Sequence, residues 1–208
     1  MTGPQKTLGC AALLTLIALA AFAQDFAKQR LENSPRHQEW VTIKHGERTV
    51  HAVLVFPEVK SKALAVAVIH ENRGLSDWVR SVADQFAEAG YIAIAPDLLS
   101  GMGPNHGKTS DFAEGDAARE AISKLSPEQV TADLKAVADY VAKLPAANGK
   151  VVSAGFCWGG RQSFRFATNH AGLAAAFVFY GAGPETQDEM ARIKCPIWLL
   201  WRQRCARE

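Results

Sequence analysis

The segment Val151-Val152-Ser153-Ala154-Gly155-Phe156-Cys157-Trp158-Gly159-Gly160 runs from a short apolar stretch into a cysteine framed by glycines, and then into a helix-type pattern over 158–168. The apolar stretch has the length and composition of a buried strand. Strand, Gly-x-Cys-x-Gly turn and helix, in that order, make a nucleophile elbow. The chemistry needs both glycines, because the turn is sharp and a side chain at Gly155 or Gly159 would strike neighbouring backbone. The turn lifts Cys157 above the sheet edge and sets it at a helix N-terminus, where the dipole favours the thiolate. The N–H of Trp158 faces the same space and can hold an oxyanion, while its indole predicts an apolar rim beside the nucleophile. Two plainer readings compete: a structural cysteine in a glycine-rich turn, and a phosphate-binding loop. The second fits poorly, since Gly-x-x-x-Gly-Gly differs from Gly-x-Gly-x-x-Gly and carries no P-loop lysine.

Outward from this segment, strands alternate with helices. Residues 42–44 and 50–56 read as strands joined by a hairpin turn at 45–48. Residues 63–69 form a continuous apolar run, as in a strand buried on both faces. Trp78, Val79, Val82 and Phe86 predict a helix over 76–89, stopped by Gly90. The next strand, 91–95, is closed by Pro96, and 97–107 is loop. Residues 111–125 carry a weak helical pattern. Ser126-Pro127-Glu128-Gln129 starts a strong helix, with a cap and a proline at its first position. Asn148-Gly149 turns the chain into the strand 151–154, and further strands follow at 174–180 and 196–201. This alternation predicts an α/β fold, a mostly parallel sheet flanked by helices.

His70-Glu71-Asn72-Arg73-Gly74 follows the 63–69 strand directly. In an α/β-hydrolase sheet the loop at this place supplies a second oxyanion N–H, and a carboxylate there lies near the elbow. Alone the loop is a weak signal; beside Cys157 it becomes specific. Together with Gly90-Tyr91-Ile92-Ala93-Ile94-Ala95-Pro96-Asp97-Leu98-Leu99 and Asn148-Gly149-Lys150-Val151, these stretches resemble the dienelactone hydrolase family of the α/β-hydrolase superfamily over residues 40–201. The resemblance implies an α/β-hydrolase-like fold and cofactor-free opening of a small ester or lactone. It implies a Cys-His-Asp triad, with a glutamate that holds the resting thiol. It assigns Cys157 as the nucleophile, Glu71 as the thiol-activating carboxylate, and the backbone N–H groups of Asn72 and Trp158 as oxyanion donors. Arg73 and Arg119 are candidates, by position only, for gripping a substrate carboxylate; the plainer reading of each is a solvated surface charge.

The resemblance also implies an acid in a Gly-x-x-Asp turn after the 196–201 strand, and a histidine beyond a further strand. The sequence there reads Trp201-Arg202-Gln203-Arg204-Cys205-Ala206-Arg207-Glu208 and holds neither. The expectation is a single α/β-hydrolase domain over 24–208, incomplete at its C-terminus and missing the last strand and helix. Back-translated as TGG CGG CAA CGA TGC GCG CGN, the tail read one base later encodes Gly-Gly-Asn-Asp-Ala-Arg, an acid turn of the implied kind. A frameshift near Trp201 is therefore expected, with Cys205 a product of the wrong frame. A cysteine nucleophile without a base loses most of its acyl-transfer rate. His70, at a strand end beside the elbow, is the histidine best placed to substitute; His106 and His170 have no placement argument. An exposed sheet edge, an apolar helix-binding face and poor solubility complete this expectation.

Residues 1–23 read as a secretory signal peptide, with Lys6 ahead of an apolar run and Ala21-Phe22-Ala23 as the cleavage site. An uncleaved anchor competes, but the run is short for a span of about 20 residues. Cys10 precedes the apolar core instead of ending it, which excludes a lipoprotein. Export to the periplasm or medium is expected, with no membrane association after cleavage. Lys and Arg number 23 against 21 Asp and Glu, and the resulting charge of +2 argues against a dedicated nucleic-acid binder. Hydrophobic and charged shares of 48% and 21% exclude a disordered chain. Cys157, Cys195 and Cys205 remain after cleavage, an odd number for an oxidising compartment, and they lack zinc-ligand spacing. Three functions stay open: a cysteine ester or lactone hydrolase, an inactive fragment or non-catalytic fold that binds a small ester or carboxylate, and a redox thiol at Cys157. An acyl adduct that turns over marks the first, a permanent adduct the second, and oxidation without acyl chemistry the third.

Overall fold

The computed structural model describes residues 26–200 apart from 114 and 185. The signal peptide with Cys10, and the tail at 201–208 with Cys205 and the expected frameshift, lie outside the described residues. A helix over 26–32 (α1) precedes β1 (Gln38–His45), β2 (Arg48–Val55), β3 (Ala63–Ile69), α2 (Asp77–Glu88) and β4 (Ile92–Asp97). Then come α3 (Gly115–Ser123), α4 (Pro127–Ala142), β5 (Ala147–Phe156), α5 (Trp158–Asn169), β6 (Ala175–Phe179), α6 (Gln187–Ala191) and β7 (Ile197–Leu200). The strands form one sheet in the order β1-β2-β4-β3-β5-β6-β7. The β1–β2 and β2–β4 pairs are antiparallel and the other four are parallel. This is the mostly parallel α/β architecture that the sequence predicts.

The continuous apolar runs of β3 and β4 follow from cover on both faces. On one face Leu54, Ile69 and Ile94 pack with Leu134 and Val137 of α4 and Phe166 of α5. On the other, Val53, Val66 and Val68 pack with Val79 and Ala83 of α2. Two of the boundaries that differ from the sequence reading have a physical cause in the strand pairing. Strand β4 continues through Pro96 to Asp97; its ladder to β3 ends at Ile94, so the missing proline N–H removes no bond from it. Asn148-Gly149 forms no separate turn but lies inside β5, where Gly149 takes φ +84° beside a register shift between Ala63 and Ala65. A glycine at positive φ accommodates such a bulge without a side-chain clash.

Helix α1 lacks a periodic apolar signal because charge holds it. Arg30 and, just beyond the helix, Arg36 converge on the buried Asp84 of α2, with Arg36 Nη2 at 2.7 Å and Arg30 Nε at 3.2 Å. Burial alone would raise the Asp84 pKa, but hydrogen bonds from Arg36 and Ser34 and the two arginine charges outweigh it and hold the carboxyl below its usual range. At the other side of the sheet, Trp198, Leu199 and Leu200 of β7 are exposed. A cleft of about 800 Å³ runs beside them past Phe177, Phe179 and Phe86.

Candidate active site

Cys157 is the hinge between β5 and α5, at φ +54° and ψ −115°. An L-residue rarely adopts this region, and the surrounding backbone has to impose it. The Cys157 N–H donates to the Phe179 carbonyl at 3.0 Å. A side chain on Gly155 would run into the Gly159 carbonyl, and one on Gly159 into the carbonyls of Ile69 and His70. The first turn of α5 is thereby seated on the C-terminal end of β3. Ser163 secures the next turn, sharing a 2.8 Å hydrogen bond with Ser153 and donating to the Phe177 carbonyl at 3.1 Å.

Strand register completes the constellation. Ile69 pairs with Gly155, and Phe156 with Phe179. The residues next in line, His70-Glu71 on one side and Tyr180 on the other, therefore flank Cys157. Burial pushes the Tyr180 phenol above its ordinary pKa, and the charges of Glu71 and Cys157 push it the same way. Tyr180 is half exposed and also has positive φ, at +45°. The sequence reading missed it. Its available signal was its place one residue past a buried strand that neighbours the elbow.

Glu71 and Asn72 are partly exposed on the loop after β3, and Arg73 is exposed beside them. Arg119 is on the exposed side of α3, a helix whose Ala118, Ala121 and Ile122 belong to the cluster that Trp158 packs against, and it pairs with Asp116 at 3.0 Å. Among the described residues, the N–H groups of Asn72 and Trp158 have no intramolecular acceptor. The indole of Trp158, expected at the rim, is partly buried. It stacks on His70 at 5.4 Å between centroids and packs against Leu99 and Ile122. The imidazole supplies it with a flat buried partner that no local pattern discloses.

His70 is fully buried. Its Nδ1 lies 2.7 Å from the Glu71 carbonyl, and its Nε2 takes the Leu98 N–H at 3.3 Å. Burial holds the imidazole below its ordinary pKa, against the pull of the Asp97 charge. With both nitrogens engaged, the ring has none left to serve as a base for Cys157. His170 sits at the opposite end of α5, stacked on Phe166 at 4.9 Å. His106 lies in the short turn Pro104–His106. This arrangement can present a sulfur nucleophile, a carboxylate and two free N–H donors to a carbonyl, with no histidine among the described residues placed to move protons.

A sequence profile of the dienelactone hydrolase family matches residues 50–203. A Salmonella typhi protein provisionally named carboxymethylenebutenolidase is 32% identical over 127 residues, which is 60% of this chain and 46% of that protein. The carboxymethylenebutenolidase of Pseudomonas putida is 28% identical over 153 residues, 72% of this chain and 63% of its own. The solved structure of a dienelactone hydrolase-like promiscuous phosphotriesterase from metagenomic libraries aligns with a TM-score of 0.65 at 25% identity, covering 79% of this chain and 67% of that one. A Klebsiella pneumoniae protein provisionally named dienelactone hydrolase shares the fold, with a TM-score of 0.68 at 24% identity over 79% of this chain and 71% of that one. The chain spans about half the length of the curated relatives it first matches, 46% of the Salmonella protein.

Proposed function

We propose that this chain, which belongs to the dienelactone hydrolase family, uses Cys157 to take up the acyl group of a small ester or lactone. The observation that carries this reading is the placement of Cys157 at φ +54°, at the N-terminus of α5, beside the loop after β3 that carries Glu71 and Asn72, with the N–H groups of Asn72 and Trp158 unengaged. In the first half-reaction Glu71 accepts the thiol proton and the sulfur attacks the carbonyl carbon. The carbonyl oxygen becomes an oxyanion that the N–H groups of Asn72 and Trp158 stabilise. Collapse breaks the acyl C–O bond, and the departing alkoxide takes a proton from Glu71 or water. A thioester on Cys157 remains. Arg73 shares the loop of Glu71 and Asn72 and is for that reason the better candidate of the two arginines for a substrate carboxylate; the exposed pair of Arg119 with Asp116 is too weak to decide the matter.

The second half-reaction requires a base to activate water. Among the described residues His70 is engaged at both nitrogens and His170 lies at the far end of α5, so neither supplies that base, and we infer that the thioester forms faster than it is hydrolysed. That observation favours the second reading, a chain that is acylated but scarcely turns over. With p-nitrophenyl acetate, nitrophenolate is released as a burst of one equivalent followed by a slow phase, and Cys157→Ala abolishes the burst. A burst that survives in Cys157→Ala removes the nucleophile assignment; rapid linear turnover without a burst removes the slow-thioester reading.

Export is proposed on the same footing, from Lys6, the apolar run and Ala21-Phe22-Ala23. N-terminal sequencing of protein recovered from the cell envelope or medium then begins at Gln24. Recovery of chain starting at Met1 from the cytosol counts against it.

A further inference from the structure

We propose that His70 is the positioning residue of the oxyanion site, holding the carbonyl of Glu71 so that the N–H of Asn72 is aimed at the carbonyl oxygen of a substrate on Cys157. The inference rests on the acyl-transfer reading above. The Glu71 carbonyl and the Asn72 N–H belong to one peptide group. No peptide bond among the described residues is cis, so that carbonyl and N–H point in opposite directions. Whatever fixes the carbonyl therefore fixes the oxyanion donor, and a flip of this peptide would replace the donor with a repelling oxygen.

The imidazole has the features such a clamp needs. The Leu98 N–H can only donate, so Nε2 at 3.3 Å accepts and the proton resides on Nδ1. From there it donates to the Glu71 carbonyl at 2.7 Å. The only other donor to that carbonyl among the described residues is the Gly74 N–H, at a weak 3.4 Å. The ring itself cannot shift, being fully buried and stacked on Trp158, the residue whose N–H is the second oxyanion donor. A single side chain thus touches both elements that carry the donors. Burial and a lowered pKa keep the ring neutral, which preserves the tautomer.

Two substitutions separate the ring's two hydrogen bonds. His70→Asn sets an amide nitrogen where Nδ1 stands and keeps the donor to Glu71. His70→Gln sets its amide where Nε2 stands, keeping a partner for Leu98 while losing that donor. Each is compared with the parent for acylation of Cys157 by p-nitrophenyl acetate, which passes through an oxyanion, and for alkylation by iodoacetamide, which does not. In His70→Gln the acylation rate falls about 100-fold, the scale of losing one oxyanion donor, while alkylation is unchanged; in His70→Asn both rates stay near the parent's. Acylation at the parent rate in His70→Gln, or a parallel fall of both rates in both variants, overturns the proposal. Should His70→Gln fail to fold by circular dichroism, His70→Asn carries the test alone: a parent ratio of acylation to alkylation supports the clamp and a fallen ratio overturns it. A parent chain that is alkylated but never acylated overturns the underlying acyl-transfer reading, and the clamp with it.

Discussion

Cys157 holds a backbone conformation that costs of order 1–3 kcal/mol, so the glycines around it have to leave the backbone free to impose it. Gly159→Ala places a methyl group against the carbonyls of Ile69 and His70, neither of which can retreat without unseating α5 from β3. The expected loss of stability is at least about 2 kcal/mol, read from the denaturant midpoint, together with loss of Cys157 acylation; an unchanged midpoint contradicts the close approach. A second prediction concerns acid. The unfolded His70 titrates near 6.5, whereas the buried one has a lowered pKa. The unfolded state therefore binds more protons once the pH drops below that value. The contribution of the neutral ring is complete above 6.5 and is lost as pH falls toward the depressed folded value. His170, lowered by burial, adds the same sign. Unfolding free energy should fall between about pH 7 and pH 5, and His70→Gln should flatten part of that slope; a profile identical to the parent's would contradict it. Cys157, Glu71, Asn72 and Trp158 could be proposed from the sequence because the elbow and the loop after β3 are local motifs. Tyr180 was not, because only strand register brings it beside Cys157. The stack of Trp158 on His70 was not either, because it joins residues distant in sequence.

At the scale of elements, the β1–β2 hairpin is fastened to α4 through the buried Asp133. Its carboxylate accepts from Arg48 Nη2 at 3.0 Å and lies 2.7 Å from His45 Nε2. Arg48 also donates to the Leu98 carbonyl at 3.2 Å, on the residue whose N–H meets His70. Asp133→Ala leaves Arg48 without its counter-charge, and the expected destabilisation is about 3 kcal/mol, as for other broken buried pairs. Thermal and urea denaturation measure it; a loss below about 0.5 kcal/mol would place this pair among surface salt bridges. The same contrast explains which elements could be read in advance. β3, β4 and β5 are buried on both faces and announce themselves as apolar runs, and α4 announces itself through Ser126, which accepts from the Gln129 N–H at 3.1 Å. Helix α1 is seated by arginines on Asp84, a contact that leaves no periodic mark. The bulge at Gly149 reads locally as a turn, and only its pairing with β3 reveals a strand.

Across the whole molecule, the sheet is well covered over β2, β4, β3 and β5 and poorly covered near β7. Trp198 and Leu200 pair in register with Phe177 and Phe179 and stay exposed. Apolar patches of this kind drive association. Sedimentation velocity is expected to show concentration-dependent self-association, which a Trp198→Lys, Leu200→Lys double variant relieves; equal behaviour of parent and variant would mean that the patch is covered in solution. The alternation of strands and helices made this architecture legible, because sheet order in an α/β layer follows from the crossovers, whereas the exposure of an individual face depends on what packs beyond it. The central claim is that one sulfur receives the acyl group. Peptide-level mass spectrometry of the chain, quenched after brief exposure to p-nitrophenyl acetate, tests it most directly. The prediction is a single acetyl group on the peptide containing Cys157, with Cys195 unmodified, since burial raises the pKa of that thiol. Acetylation spread over lysines and Cys195 with Cys157 untouched would contradict the account.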